Sequence, residues 1–556
     1  MLISYIKICF AQTIICICFC FLIVCSHSLY GQQPGGVDVP GSVFWLIPSV
    51  QGTQYKWISK NGNSDIIFKA SLTNAQNINF NTALKFSKNL FPILLSNVRP
   101  LYIVSAFYPN ISNSPFPVPD SFYHVRFNGM ALAKLSYDGI NDIANNSVKS
   151  RFPITLRNIN TAMKISVADF SMLPATDKSK VGGTLRETNL MMTFDGYCPE
   201  MLVYERPLSL TDLWKIETYF AIKYGITLDT SYKGTDEKVL WDIGKRILFH
   251  HRVCAIGKDR MGAIAQPFSN TTYEEGNDAV SYKNSSDGPN RSVTIGFEKA
   301  NFDALPDKNF LFWGDDENKE PGFDQKKITG SDPGDKIKLV KRKWLMQNED
   351  GIVQMTTLQL GGGLLEQLKE NDQCYLLVKL DGQLDSSDIY PLDNQMKNGK
   401  WFRNNIAWKN GVDTFTFGKV KKMSIQEVWI CNYKFCAYDK GDIKGRKTLL
   451  GIPVGRCRFI LGYRYRVDNS ASLDCELPSE FNKNISTGEA EIYFSGGIGP
   501  YQYQIDGKGN FNLLKLTGKY NDKNIGLING LTKGKHTIIL SDMTRQKSDA
   551  LEVEIQ

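Results

Sequence analysis

The sequence predicts an all-β protein of more than one sandwich, interrupted by a single long helix. Three observations carry this. Aromatic residues are abundant, with 24 Tyr, 31 Phe and 9 Trp, and such side chains suit pleated, half-buried strands. Short apolar runs alternate with clusters of Gly, Asn and Pro along most of the chain. Clear helical periodicity is confined to Ser209–Gly225. A chain of 556 residues predicts about three domains at roughly 150 residues each.

Residues 1–31 read as a secretory signal peptide. Lys7 is their only charge, and Ile14–Cys25 is an almost continuous apolar run. That run is shorter than the roughly 20 residues a membrane helix needs. Leu22–Cys25 has the outline of a lipobox, but Val24 is bulky where a small residue is usual. No later segment is long and apolar enough to span a bilayer, so no transmembrane span is expected in the mature chain. Of 12 cysteines, seven lie beyond the signal, an odd number at wide spacing. This is not a disulfide scaffold, although Cys431 and Cys436 flank a short loop and could pair. Removing Lys7 leaves a net charge of +7, which is mild for this length and gives no case for nucleic acid.

The first domain is placed at 33–230. Its expected strands are Val43–Ile47, Ala83–Phe86, Tyr102–Ala106, Tyr123–Phe127, Ser166–Phe170, Leu190–Phe194 and Met201–Glu205. Pro207 then stops the last strand. Ser209 and Asp212 have capping-box spacing. Leu213, Ile216, Phe220 and Tyr224 recur on one helical face, while Lys215, Glu217 and Lys223 fall largely off it. Gly225 ends the helix, because glycine accepts the left-handed C-terminal conformation.

The segment 199–228, PEMLVYERPLSLTDLWKIETYFAIKYGITL with its flanks, resembles the closing part of concanavalin-like (LamG-type) jelly-roll modules in Bacteroidota-type cell-surface proteins. The matching residues are Glu200, Tyr204, Arg206, Leu208, Ser209, Glu217, Tyr219 and the run AIKYGITL over 221–228. A second match is QQPGGV at Gln32–Val37, followed by a first strand bearing Trp45. The resemblance implies a jelly roll with one terminal helix; periodicity alone predicts only a sandwich.

A second domain is placed at 236–420. Trp241, Asp242, the run Ala255–Asp259 and Gln266 match a β domain of unknown function that follows the jelly roll in similar surface proteins. Residues 421–470 read as a connector. A small Ig-like β-sandwich is placed at 471–556. There GGIGPYQY, at Gly496–Tyr503, is similar to gliding-adhesin repeats, with His536 where a tyrosine is usual.

Catalytic candidates do not emerge. A glycosidase needs two carboxylates about 5–9.5 Å apart across a groove. Glu200 and Glu205 are an odd number of strand positions apart and should face opposite sides; Asp195 sits in a turn. No H-E-x-x-H zinc site or G-x-S-x-G elbow occurs. The adjacent His250 and His251 should point apart on a strand. Asp315, Asp316 and Glu317 are the best acidic cluster, and calcium is the cofactor it would suit. They lack loop-site spacing, and exposed turn residues are the simpler reading. Trp45 and Trp57 are the candidate sugar-stacking residues, weighed against ordinary core packing. The resulting expectation is a non-catalytic protein, secreted or held at the outer membrane or cell surface. It would act in adhesion or in recognition of an extracellular glycan or surface protein. A jelly-roll polysaccharide-degrading enzyme and a structural spacer are the alternatives.

Overall fold

In the computed structural model, described residues comprise short segments between 34 and 192, all of 196–271, most of 293–361, most of 372–432, 463–467 and most of 488–555. The expected signal segment, Asp195 and Cys436 lie outside the described residues. The fold is all-β, with strands in several antiparallel sheets and few helices. Each strand expected in the first domain overlaps an observed one.

The chain divides into two compact units that interleave in sequence. One comprises 1–317, 344–364 and 395–412; the other comprises 318–343, 365–394 and 413–556. These units do not follow the expected borders. The segment 236–420 contributes residues to both.

In the first unit, a large sheet runs in spatial order Ile154–Leu156, Lys164–Asp169, Tyr102–Pro109, Gly196–Tyr204, Phe44–Gln51, Gln54–Ser59 and Ile66–Ala70. A five-stranded sheet runs Gly139–Asn141, Met130–Ser136, Tyr123–Phe127, Glu187–Met192 and Phe91–Ser96. The first strand of the large sheet pairs with Gly196–Tyr204, with Phe44 opposite Val203 and Trp45 opposite Leu202. Against Tyr102–Pro109, the register of Gly196–Tyr204 shifts between Tyr197 and Glu200. Pro199 sits in that shift and has no N–H for a ladder. An irregularity of this kind re-aims the side chain beside it, here Glu200.

Helix α1 (Leu210–Tyr224) follows. Ser209 caps it, and both arms of the capping box with Asp212 are present. Gly225 adopts φ 65°, ψ 41°. The Ile226 N–H reaches back to the Ala221 carbonyl at 3.0 Å, satisfying one orphan acceptor of the last turn. Asn79 and Asn81, in a tight hairpin turn of the large sheet, donate to the Lys223 carbonyl at 3.0 and 2.8 Å.

α1 is not a surface helix. Besides Ile216, Tyr219, Phe220, Ile222 and Tyr224, it buries Lys215 and Glu217, which corrects the expectation that these two lie off the packed face. The reason is a second partner. α1 also packs on strands His251–Asp259 and Ile264–Gln266. One core cluster runs from Trp45 and Val104 through α1 to Val253, Phe312 and Leu345. Each large apolar side chain buried this way contributes about 1.5–3 kcal/mol. A turn at Pro34–Gly36 enters the same region. Gly35 (φ 86°) lies against Ile216 and Gly36 (φ 101°) against Thr235, so close that a Cβ at Gly36 would stand 2.8 Å from the Thr235 methyl.

The rest of the first unit contains two further antiparallel groups. One is Ile264–Gln266, His251–Asp259, Asn309–Asp315 and Trp344–Asn348; the other is Phe268–Asn270, Val293–Phe297, Thr356–Gly361 and Lys400–Ile406.

In the second unit, Asp372–Val378 and Ile337–Val340 pair with strand Gly411–Lys421. The C-terminal sandwich has one sheet in the order Tyr463–Val467, Ser424–Asn432, Gly488–Ser495, Lys523–Leu531 and Lys515–Tyr520. The other runs Asn512–Leu513, Gln502–Ile505, Gly534–Ser541 and Leu551–Ile555. Two strands of the first sheet therefore come from 421–470, which was expected to be a connector. Ile425 and Met423 join the sandwich core with Phe494, Tyr501 and Ile538, and that apolar contribution recruits the segment.

Candidate functional site

The motif residues of 199–228 converge on one buried carboxylate. Glu200 is fully buried. Its Oε1 accepts from the Tyr219 hydroxyl at 2.6 Å and from Trp45 Nε1 at 2.5 Å. Its Oε2 accepts from Lys223 Nζ at 2.8 Å and the Tyr224 hydroxyl at 2.5 Å. Lys223 Nζ also donates to the Tyr219 oxygen at 2.8 Å. A carboxylate has about four acceptor positions, and all are taken. Helical spacing explains the arrangement: positions 219 and 223 stack on one face, and 224 lies beside them. Burial, and secondarily the Glu200 charge, push the Tyr219 and Tyr224 hydroxyls well above the ordinary tyrosine value. They stay protonated and donate. This knot ties the first strand, the last strand and α1 together.

The site candidates fare differently. Trp45 is 9% exposed, donates to Glu200 and meets the Tyr219 ring edge-on at 6.5 Å. It is a core residue rather than a stacking platform, because its indole N–H has a charged acceptor inside. Trp57 lies on strand Gln54–Ser59 opposite Pro48 and Ile66; its side chain lies outside the described residues. Asp315 is 1% exposed and binds Arg252 through both carboxylate oxygens, with Arg252 Nε at 2.6 Å. Its Oδ1 also accepts the Glu317 backbone N–H at 2.8 Å. Glu317 faces His251 at 3.3 Å. The simpler reading, exposed turn residues, is therefore corrected for Asp315: it is buried on a strand, and the guanidinium on its carboxylate opposes a second cation there. Among the described residues no group of three or more His, Cys, Asp or Glu side chains could hold a metal ion.

The adjacent histidines do point apart. His250 is buried, accepting from Trp241 Nε1 at Nδ1 (2.9 Å) and facing the Leu228 carbonyl with Nε2 at 2.7 Å. Trp241 is a donor only, so Nδ1 carries no proton and Nε2–H donates. Burial pulls this imidazole below the ordinary histidine value, resisted by the Leu228 bond. His536 has a different task. Nδ1 lies 3.0 Å from Asp506 and Nε2 2.8 Å from the Thr532 carbonyl, joining two turns of the C-terminal sandwich. That contact accounts for an imidazole at this position. Cys198 and Cys374 are buried free thiols; burial pushes both far up, away from nucleophilic use.

A second clasp lies in the second unit and had no sequence signal beyond its turn residues. Asp542, 3% exposed, accepts from the backbone of Ile498 (2.9 Å), Thr544 (2.9 Å) and Gln546 (3.0 Å), and from the Thr544 hydroxyl at 2.7 Å. Thr544 Oγ1, whose one proton goes to Asp542, accepts from the Tyr375 hydroxyl at 2.9 Å, and that hydroxyl accepts from Gln546 Nε2 at 2.7 Å. Ile498 enters a core with Ile328, Ile337 and Tyr375.

A family model described as a domain of unknown function (DUF8202) matches residues 212–412. The match begins inside α1, which agrees with a helix that packs as much on the strands after it as on those before. No curated protein matches the chain. No solved structure matches it either.

Proposed function

We propose that this chain is an exported, non-catalytic cell-surface protein that acts in adhesion, by recognising an extracellular glycan or surface protein. One observation carries the reading. The carboxylate that the motif of the first module supplies, Glu200, is sealed by four donors inside the core, whereas glycoside hydrolysis needs two carboxylates facing a groove. The next carboxylate along the chain, Glu205, is exposed just past the strand end. The resemblance to concanavalin-like (LamG-type) modules and gliding-adhesin repeats adds to this reading. A second reading, a structural spacer, draws support from the continuous core through α1, which joins the strands before the helix to those after it.

The test uses the chain from 33 to 556 intact, because removing residues beyond 230 would strip α1 of half its cover. It is applied to a glycan array, and the same glycans are assayed for cleavage. Binding without cleavage is the expected result. Cleavage would move the protein to the polysaccharide-degrading class, and silence in both assays would favour the spacer.

A further inference from the structure

A pocket of about 280 Å³ lies where the hairpin turn after His251–Asp259 meets the short helix α2 (Lys299–Ala304). Its floor is Lys258 and Ile264, both buried; Phe302 forms a wall, and Arg260 and Asp303 stand at the rim. The turn is preset. Asp259 accepts the Gly262 N–H at 3.1 Å and the Thr235 hydroxyl at 2.6 Å, while the Arg260 N–H is held by Asp307 at 2.9 Å.

The charges in this pocket are unbalanced. Lys258 is 8% exposed, yet its ammonium meets no carboxylate among the described residues. It donates to the carbonyls of Phe302 and Asp303 at 3.3 and 3.1 Å and lies 5.7 Å from the centre of the Phe302 ring. Two of its three N–H bonds are thereby used. The Arg260 guanidinium is exposed and has no ion pair or side-chain hydrogen bond among the described residues. The rim carboxylate of Asp303 is drawn to Lys299 at 2.6 Å. A buried ammonium without a counter-ion is costly, and an anion entering here would supply one.

We propose that this pocket binds a carboxylated sugar ring, a hexuronate residue of an acidic glycan. The proposal rests on the glycan-recognition reading above and names its ligand class. The Arg260 fork matches a carboxylate in a planar, two-bond geometry, with Lys258 behind it. Phe302 offers a face for the C–H side of the ring, and Asp303 an acceptor for a ring hydroxyl. The volume lies just below the range of sites for drug-sized ligands, which suits one ring rather than a chain. A phosphate would gain the same cations but nothing from Phe302, and Asp303 would repel its second charge.

The test titrates the 33–556 chain with sodium D-glucuronate, D-glucose and inorganic phosphate, followed by saturation-transfer NMR and calorimetry. Glucuronate is expected to bind at least tenfold more tightly than either of the others. Arg260→Ala should weaken it at least tenfold and Arg260→Glu should abolish it, with circular dichroism unchanged because the side chain is exposed. Equal binding of glucose, preference for phosphate, no binding of glucuronate, or indifference to Arg260→Glu would each overturn the proposal. An array signal for neutral glycans that survives Arg260→Glu leaves the adhesion reading standing while this pocket fails. Silence on the array and toward glucuronate removes both.

Discussion

Glu200 and Asp542 are both buried carboxylates with four donors each, but they are satisfied in different ways. Glu200 is met by side chains from two other elements, the first strand and α1, and one of the donors is the ammonium of Lys223. Asp542 is met by backbone N–H groups and a hydroxyl, mostly from its own turn, and no ion pair reaches it among the described residues. Burial pushes the Asp542 carboxyl above its ordinary value, against the pull of these four donors. The difference teaches where a charge can serve as long-range glue. A carboxylate that must join distant elements takes a cation with it; one that shapes a local loop manages with oriented N–H groups.

The comparison breaks first at Glu200. Glu200→Ala leaves an ammonium and three buried donors without their acceptor, and should lower stability by about 3–5 kcal/mol, read as the urea midpoint of the 33–556 chain. A loss below about 1 kcal/mol would mean the knot is no stronger than a surface pair. Lys223→Met sharpens the contrast by making Glu200 resemble Asp542, with neutral donors only. Its expected cost is about 1.5–3 kcal/mol; a cost equal to that of Glu200→Ala would assign the whole effect to the cation. Asp542→Asn turns one acceptor oxygen into a donor facing the Ile498 N–H, and should cost about 1–3 kcal/mol. The loss should appear in hydrogen exchange at 496–500 and 542–546 before it appears elsewhere.

The smallest effect comes from a buried base instead of an acid. His250 has a depressed value when folded, so the unfolded chain binds more protons between that value and the ordinary one near 6.5. Stability from this group is present above the ordinary value and falls as pH drops below it. Protonation at Nδ1 would also set two donors against each other at Trp241. The urea midpoint should therefore fall between pH 7.5 and 5.5, and His250→Gln should reduce that slope. An unchanged slope would show that other groups govern the acid response.

Much of the local structure was legible in the sequence, and the long-range assembly was not. The capping box at Ser209 and Asp212 and the stop at Gly225 are local chemistry, and they stand as read. The strand around Glu200 was also read, but its purpose was not. A strand carboxylate gives no sign that an indole 155 positions away will donate to it. All four donors, Trp45 included, lie within the residues that carry the resemblance, so the pattern marked the knot without revealing its chemistry. Lys215 and Glu217 were misplaced for a related reason. An amphipathic pattern names the first face a helix buries, and a second partner arriving later in the chain adds burial that charge patterning hides. The Lys258 pocket left one trace, the basic position in the run Ala255–Asp259. The helix that completes it lies some 40 residues onward.

The Pro34–Gly36 turn sets a clock on biosynthesis. Its resting place is built from Ile216 and Thr235, roughly 180 residues further along. At about 5–20 residues per second, that surface is made roughly 10–40 s after the turn itself. During that interval the first strand has neither its sheet partner at Val203 nor its carboxylate at Glu200. Only its local hairpin with Gln54–Ser59 can form in the meantime.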